Sequence, residues 1–359
     1  MADAPGSAPD LLEAATRRSA MQAQAVAESL TLPVGLTPKD AVWRLGPVTL
    51  WRYRPTQPAA ERHLVPLLLV YALINKPYIF DLRPERSFVS YLLDQGFDVW
   101  LLDWGTPGPE DNATTFDDYA TEYLPRAVRR LQKTTGSEAF GLLGYCIGAV
   151  HTALYAALNP EADLRYLALV TPPIDFSDPD SSTFSRWLRA DRFDVDRVVD
   201  ALGLIPANLI ETGSKWARPV DNYVGTYHGL DARLDRPQAR VMWQALHRWI
   251  HDGVPFAGEA FRQWVKEYVQ QNELARGVHV AAGQPVDLKQ ITAPLLVVAA
   301  EYDHIVPLGQ ATPVLDLVGS TDKRLEVVRG GHVGIMAGSA GPKRLWPLLS
   351  AWLTERSGS

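Results

Sequence analysis

Cys146 lies in the pattern Gly-Tyr-Cys-Ile-Gly, residues 144–148, whose spacing can place a nucleophile on a tight turn. The pattern follows the apolar run 140–143 and opens a helix-length segment, 147–158. A strand-to-helix turn lifts its nucleophile above a sheet, and the flanking glycines let strand and helix approach closely. The N-terminus of the helix also favours a thiolate. We therefore predict that Cys146 is a covalent nucleophile; the alternative is an inert buried cysteine beside chance glycines.

A cysteine nucleophile needs a base that takes its proton and an acid that orients that base. Asp303 comes just after the apolar run 295–300, where the end of a strand would present a catalytic group. His332 lies in a glycine-rich loop after the next apolar segment, 325–328. Nucleophile turns of this kind carry nucleophile, acid and histidine in that order along the chain. The sequence therefore predicts Asp303 as the acid and His332 as the base.

Simpler roles stay open for these side chains. Asp303 can cap a turn without taking part in chemistry, and His332 can be a surface histidine of its loop. His304, directly after the acid, is a rival base, but this choice leaves the glycine-flanked position of His332 unexplained. His151, one turn into the helix that follows Cys146, is more typical of a structural histidine.

Short apolar runs alternate with helix-length segments along most of the chain. Each run is bounded by polar residues, glycine or proline, as in parallel strands that are buried on both faces. The predicted strands are residues 48–54, with one exposed face, and the buried runs 66–70, 97–102, 140–143, 166–170 and 295–300. The predicted helices are residues 84–95, 115–134, 147–158 and 342–356. This alternation predicts an α/β fold with a doubly wound, mostly parallel sheet.

The alternation stops between residues 176 and 285, where the spacing of apolar residues is helical. We predict that this insertion is a mainly helical cap over the carboxyl edge of the sheet. Residues 48–175 and 286–359 then form the core, and residues 1–47 form an N-terminal helical segment. The tryptophans of the insertion either wall a dry cavity or pack as ordinary helix core. They are Trp187, Trp216, Trp243, Trp249 and Trp264.

The composition argues against several other classes of protein. The formal net charge of the 359 residues is −6 and no basic stripe is present, so no nucleic-acid partner is expected. A single cysteine rules out an internal disulfide and a cysteine-cluster metal site. No apolar stretch is long enough to span a membrane, and residues 1–10 lack the pattern of a secretory signal. A cytoplasmic protein without a transmembrane segment is expected.

Several longer segments resemble the catalytic subunit of polyhydroxyalkanoate synthases, in particular the short type that works with a second subunit (class III, or the related class IV). The resemblance extends from about Leu36 to Arg356. It rests on residues 69–78, 99–105, 144–148, 170–176, 258–264 and 331–334. The family belongs to the α/β-hydrolase superfamily, so the resemblance implies an α/β-hydrolase fold with a cap insertion.

The resemblance also implies a role for each candidate site residue. Cys146 would carry the acyl group, and His332 would be the base that deprotonates it. Asp303 would support His332 or help to activate an incoming hydroxyl group. The oxyanion hole of the family would correspond to the backbone N–H groups of Ile147 and Ile74.

The implied reaction converts 3-hydroxyacyl-CoA, with 3-hydroxybutyryl-CoA as the expected substrate, into polyester and free CoA. No cofactor and no metal are implied, since the CoA thioester is itself a substrate. The growing polyester chain, a second synthase subunit and self-association are the implied partners. The implied location is the surface of polyester granules in the cytoplasm, and activity without the second subunit should be low.

One residue departs from the family pattern, and two other functions are compatible with the sequence. Ala149 stands where the family usually has a second glycine after the nucleophile turn, which puts chain-length behaviour and rate in question. One alternative is a cysteine hydrolase of the dienelactone hydrolase or thioesterase type. The other is a non-catalytic scaffold on granules. The contacts of the CoA phosphates are not identified: Arg189, Arg192 and Arg218 are candidates, although solvated surface charge is the preferred explanation for them.

Overall fold

The central strands consist almost entirely of apolar residues because helices cover both faces of the sheet they form. A computed structural model describes residues 8–217 and 225–358 of the chain. From one edge to the other, the strands of its eight-stranded sheet are Lys39–Leu45, Val48–Tyr53, Val99–Asp103, Leu67–Val70, Phe140–Tyr145, Leu164–Val170, Leu295–Ala300 and Lys323–Val328. The first three strands are joined by antiparallel pairings, and all later neighbours are parallel. The sheet is therefore mostly parallel, as predicted.

All predicted strands are present, with ends that differ by a few residues. The strand that precedes the nucleophile turn runs to Tyr145, two residues beyond the apolar run, so Cys146 follows it directly. The edge strand Lys39–Leu45 is absent from the sequence-based prediction, which has only helix before residue 48. It pairs with Val48–Tyr53 through a two-residue turn, for which Gly46 supplies a φ of +53°.

The helices lie between the strands and in the insertion. The α-helices with seven or more residues are Ala8–Ser29, Phe88–Asp94, Leu124–Thr135, Ile147–Leu158, Val195–Leu202, Ala207–Ala217, Pro237–His251 and Trp346–Ser357. The shorter α-helices are Phe116–Asp118, Thr183–Trp187, Thr226–Asp231, Gly258–Gln263, Glu273–Arg276, Leu308–Ala311 and Val314–Leu317. The described π-helical segments include Tyr119–Tyr123, Trp264–Gln270 and Gly341–Leu345, and such segments often occur near functional sites. Helix Ile147–Leu158 matches its predicted range, and its burial on all sides agrees with its mostly apolar sequence.

The described helices of the insertion lie between Thr183 and Arg276, and loops separate most of them. The insertion contacts the core after the end of strand Leu67–Val70. Asn75, in the loop after that strand, forms a β-bridge with Gly253 of the insertion. The division into core and cap at residues 176 and 285 stays a prediction, because these contacts do not delimit domains.

The N-terminal helix Ala8–Ser29 packs on the insertion. Arg18 forms an ion pair with Asp231 at 2.9 Å, and the Gln244 side-chain amide donates to the Ala25 carbonyl oxygen at 3.0 Å. Ala25 is buried with Leu230 in a small apolar cluster that is separate from the main core. In the described part of the chain, no helix combines the length and the apolar character needed to cross a membrane.

Candidate active site

Cys146 occupies a strained turn between strand Phe140–Tyr145 and helix Ile147–Leu158. Its backbone has φ +55° and ψ −125°, a conformation that L-residues rarely adopt. Its N–H donates to the Val170 carbonyl oxygen of the neighbouring strand at 2.9 Å. Strain of this kind persists only where the surrounding structure enforces it, which is common at reactive sites. The Cys146 side chain is therefore held at the carboxyl edge of the sheet, at the first turn of a helix.

The two glycines of the turn are there because strand and helix nearly touch. A Cβ atom on Gly144 would lie 2.4 Å from Cα of Ala149, and a Cβ on Gly148 would lie 2.3 Å from the Val70 carbonyl oxygen. Neither contact is possible for a real side chain, since both partners are backbone atoms. Ala149 itself is fully buried and occupies the position of the usual second glycine. Its methyl group is accommodated in this packing, with Gly144 directly opposite.

Asp303 and His332 form a buried pair. Nδ1 of His332 lies 2.7 Å from Oδ2 of Asp303. The other carboxylate oxygen of Asp303 accepts hydrogen bonds from the backbone N–H groups of Ile305 and Val306, each at 2.9 Å. The carboxylate is thus fixed by its own loop, and one oxygen is directed at the imidazole. This arrangement orients the ring and stabilises its protonated form.

Cys146 and His332 line the same cavity, and Cys146 is among the groups that raise the pKa of His332. Burial alone would lower the pKa of His332. The interactions with Asp303 and Cys146 outweigh this effect and raise the pKa of His332 above its ordinary value of 6.5. A protonated imidazole that is hydrogen-bonded to a carboxylate and lines the same cavity as a cysteine has the arrangement expected of a cysteine nucleophile and its base.

The other two histidines considered from the sequence differ in their positions relative to the site. His304 lines the same cavity as His332, but the hydrogen bonds of the Asp303 carboxylate go to His332 and to the loop backbone. His151 is fully buried against the rings of Trp104 and Phe116, with centroids 5.6 and 4.4 Å away. This burial lowers the pKa of His151 to about 3, so the ring is neutral.

The two predicted oxyanion-hole residues line the same cavity as Cys146. Ile147 is the first residue of its helix, where backbone N–H groups have no partner within the helix. Ile74 lies in the loop after strand Leu67–Val70, and its carbonyl oxygen accepts from the N–H of Val254 at 3.0 Å. A contact from the insertion thus fixes the loop that would supply the second donor.

A cavity of about 440 Å³ opens onto Cys146 and His332. Much of its wall is apolar, and both the core and the insertion contribute to it. The apolar lining includes Ile74, Phe176, Phe184, Leu188, Ile210, Trp249, Trp264 and Val306. The polar lining includes Ser182, Ser185, Lys215, His247, His251 and Gln310. The cavity suits a ligand with an apolar body and a few polar groups.

Of the tryptophans and arginines considered from the sequence, two tryptophans are found at this cavity. Trp249 and Trp264 line it, Trp187 and Trp216 are exposed, and Trp243 packs near the N-terminal helix. Arg189 does not line the cavity and pairs with Asp191 at 3.0 Å on the surface. Arg192 is exposed, and Arg218 lies outside the described residues.

Sequence reasoning missed the polar residues of the cavity. The amide nitrogen of the buried Gln310 donates to Ser185 at 2.7 Å, which joins the core to the first helix of the insertion. No motif marks either residue. His247 and His251 are four positions apart in helix Pro237–His251, so they share one helix face. This spacing was the one feature of the sequence that could have predicted the two histidines on the cavity wall.

One cluster of described residues, Asp117, Glu267 and His279, could hold a metal ion by the spacing of its ligand atoms. Its atoms are already occupied within the protein. The Tyr268 hydroxyl is hydrogen-bonded to Asp117 and lies 2.8 Å from Nε2 of His279. The Gln263 amide donates to both Asp117 and Glu267. The cluster is explained as a buried polar link between core and insertion.

Two family descriptions match the chain. Residues 65–339 match the alpha/beta hydrolase fold, and residues 8–92 match the N-terminus of poly-beta-hydroxybutyrate polymerase (PhaC). Among solved structures, a membrane phospholipase A covers 97% of both chains at a TM-score of 0.52 and 16% identity. A lipolytic enzyme of the LipS and LipT pair covers 82% of this chain and 95% of its own, at a TM-score of 0.51 and 15% identity. At these identities the structures establish the fold only.

Relatives of known name are similar over most of the chain. The poly(3-hydroxyalkanoate) polymerase subunit PhaC of Allochromatium vinosum is 37% identical over 325 residues, 90% of each chain. The subunit of the same name from Haloferax mediterranei is 36% identical over 344 residues, 95% of this chain and 68% of that one. The subunit from a Synechocystis species is 33% identical over 90% of this chain and 86% of its own. The chain therefore has the α/β-hydrolase fold and belongs to the poly(3-hydroxyalkanoate) polymerase PhaC family.

Proposed function

We propose that the chain is an acyltransferase that polymerises 3-hydroxyacyl units from CoA thioesters into polyester, with Cys146 as the site of the acyl intermediate. Membership of the polymerase family supports the reaction. One observation supports the mechanism above others: the His332 ring is hydrogen-bonded to Asp303 and lines the same cavity of about 440 Å³ as Cys146. The CoA thioester is consumed as substrate, so the mechanism uses only side chains and backbone groups of the protein.

In the first half-reaction, the Cys146 thiolate attacks the thioester carbonyl carbon. The carbonyl oxygen becomes an oxyanion and is stabilised by the N–H groups of Ile147 and Ile74; loss of one such donor typically costs about 2.7–4 kcal/mol. The new sulfur–carbon bond persists and the bond to CoA breaks. The departing CoA thiolate takes the proton of the His332 imidazolium. The two thiolates have similar basicity, so the exchange is close to balanced.

In the second half-reaction, the 3-hydroxyl group of another acyl unit attacks the acyl group on Cys146. His332, now neutral, takes the hydroxyl proton, and Asp303 stabilises the imidazolium that forms. The ester bond forms as the sulfur–carbon bond breaks, which restores the Cys146 thiolate. The polyester is one unit longer after each cycle.

Asp303→Asn should lower kcat by roughly 10²–10⁴-fold. An amide can still accept from the N–H groups of Ile305 and Val306, but it then directs its NH₂ group at Nδ1 of His332. This geometry favours the wrong tautomer of the ring. Single-turnover CoA release and steady-state polymer growth, measured separately, check this effect. Normal acylation with slow growth would instead assign Asp303 to activation of the hydroxyl.

We further propose that the insertion excludes water, which competes with the hydroxyl for the acyl group. Trp249 supports this role because it lines the cavity and donates from its indole nitrogen to the Lys76 carbonyl oxygen at 2.8 Å. Trp249→Ala should raise the free acid formed per polymer unit several-fold. Trp249→Phe, which keeps a ring but loses the hydrogen bond, is the matched control. An unchanged product ratio in the alanine variant would contradict the role.

The proposed partners are 3-hydroxyacyl-CoA, the growing polyester, a second synthase subunit of the two-subunit type and further copies of this chain. Granule surfaces in the cytoplasm are the proposed location. The decisive experiment supplies 3-hydroxybutyryl-CoA with and without a co-expressed second subunit, and follows CoA release and polymer together. Polymer with stoichiometric CoA is expected, at a higher rate with the subunit present. Free 3-hydroxybutyrate without polymer would indicate a hydrolase, and no CoA release would indicate a scaffold.

A further inference from the structure

Tyr145, the residue before the proposed nucleophile, contacts the proposed base. Its hydroxyl donates to the backbone carbonyl oxygen of His332 at 2.5 Å. The two rings also meet edge to face, with centroids 5.5 Å apart and planes inclined by 72°. Tyr145 is 1% exposed and His332 is 7% exposed. One buried side chain thus reaches both the main chain and the ring of a residue 187 positions away.

The Tyr145 side chain is itself firmly held. Its ring centroid lies 5.5 Å from that of Tyr71 and 6.0 Å from that of Phe80. Burial, and then the nearby charges of Tyr71, Asp303 and Cys146, raise the pKa of Tyr145 well above its ordinary value. The hydroxyl therefore keeps its proton and remains a hydrogen-bond donor wherever the enzyme is folded.

Other contacts tie His332 to the acid side of the site. Asp303 holds the ring at Nδ1. The loop is closed by a hydrogen bond from Ile335 N–H to the Gly331 carbonyl oxygen, at 3.0 Å. Tyr145, in contrast, ties His332 to the end of strand Phe140–Tyr145, directly before Cys146. The relative position of the imidazole and the sulfur thus depends on Tyr145 as well as on Asp303.

We propose that Tyr145 is a positioning residue that sets the distance and angle between the His332 imidazole and the Cys146 sulfur. The inference rests on the proposed roles of Cys146 and His332. Tyr145 and Cys146 are consecutive, so the hydrogen bond to His332 makes base and nucleophile move together. Hydrogen bonds weaken steeply as their geometry departs from linearity. Loss of the tether should therefore weaken the thiolate–imidazolium pair while both of its members stay in place.

Tyr145→Phe tests this role, since it removes one oxygen atom and keeps the ring. Cys146 is the only cysteine, so the rate of iodoacetamide alkylation reports on this thiol without background. We expect the alkylation rate of Tyr145→Phe at pH 7 to be about tenfold lower than that of the wild type. The curve of alkylation rate against pH should move toward that of a free thiol, which has a pKa of about 8.5. The kcat for CoA release should fall about tenfold with KM changed less than about twofold, because the hydroxyl contacts main chain and not substrate.

Tyr166→Phe is the matched control. Its hydroxyl is also fully buried, on the neighbouring strand, and accepts a hydrogen bond from Ser357 at 3.1 Å. We expect this variant to lower Tm while the alkylation curve stays that of the wild type. Tyr145→Met, which also lacks a donor, should reproduce the shifted curve. If one of the two Tyr145 variants does not fold, the other decides.

The outcomes separate this inference from the proposed function. Wild-type alkylation in a folded Tyr145 variant overturns the positioning role, whatever happens to its Tm. Wild-type enzyme that alkylates as an ordinary free thiol overturns the proposed Cys146–His332 pair, and the inference fails with it. A shifted curve in Tyr145→Phe but not in Tyr166→Phe supports both.

Discussion

Cys146→Ala is expected to reduce CoA release from 3-hydroxybutyryl-CoA by about 10,000-fold or more, since loss of a nucleophile in a catalytic triad removes nearly all of the enzymatic rate. The sulfur forms the bond on which both half-reactions depend. No other thiol can replace it, because the chain has no other cysteine. The alanine variant should also carry no acyl group after incubation with substrate. Intact-protein mass spectrometry checks this, because an acyl-enzyme is heavier by the mass of the bound unit.

The first control for Cys146→Ala is a measurement of its thermal stability. Cys146 packs at a strained turn, so thermal unfolding of Cys146→Ala must show an intact fold before lost activity is attributed to chemistry. Cys146→Ser is the second control, because serine is similar in size to cysteine and replaces the thiol with a weaker nucleophile. It should be much slower than the wild type, since a serine hydroxyl ionises far less readily than a thiol. An acyl adduct on Cys146→Ala, or CoA release at the wild-type rate, would remove Cys146 from the mechanism.

The fold and the triad candidates could be inferred from local features of the sequence. Buried parallel strands appear as short apolar runs in the sequence, because both of their faces are covered. These runs can be recognised without knowing which residues contact one another. The turn at Cys146 is equally local, since its two glycines are required by backbone atoms within a few residues or on the next strand. Asp303 and His332 could be predicted because the carboxyl ends of parallel strands lie at the same edge of the sheet.

The remaining parts of the site depend on contacts that no local pattern encodes. Strand Lys39–Leu45 contains charged residues because it lies at the sheet edge, so it lacks the apolar run that identified the others. Ser185 and Gln310 meet through the packing of the insertion on the core. Tyr145 occupies a position at which the motif does not specify a residue type. Its contact with His332 forms only in the folded chain. For the same reason, the tryptophans of the insertion could be counted but not assigned to the cavity.

His332→Gln is expected to lower kcat by roughly 10²–10⁴-fold, the usual contribution of a positioned general acid–base. The variant loses the proton acceptor of the second half-reaction and the positive charge beside Cys146 in the first. In the wild type, the pKa of His332 is raised above 6.5 by Asp303 and Cys146, despite burial, so the imidazolium remains at neutral pH. Alkylation of Cys146 should therefore change little between pH 6 and 8.

Without the imidazolium, the Cys146 thiol must ionise unaided. The alkylation rate of His332→Gln should then rise about tenfold per pH unit up to about pH 8.5, where free thiols ionise. His304→Gln is the matched variant, because His304 lines the same cavity but the Asp303 carboxylate is hydrogen-bonded to His332. Its alkylation curve should stay flat between pH 6 and 8. If His304→Gln gives the steep curve and His332→Gln the flat one, His304 is the base. The Asp303–His332 hydrogen bond then has only a structural role, because an imidazole that does not influence the thiol cannot take its proton.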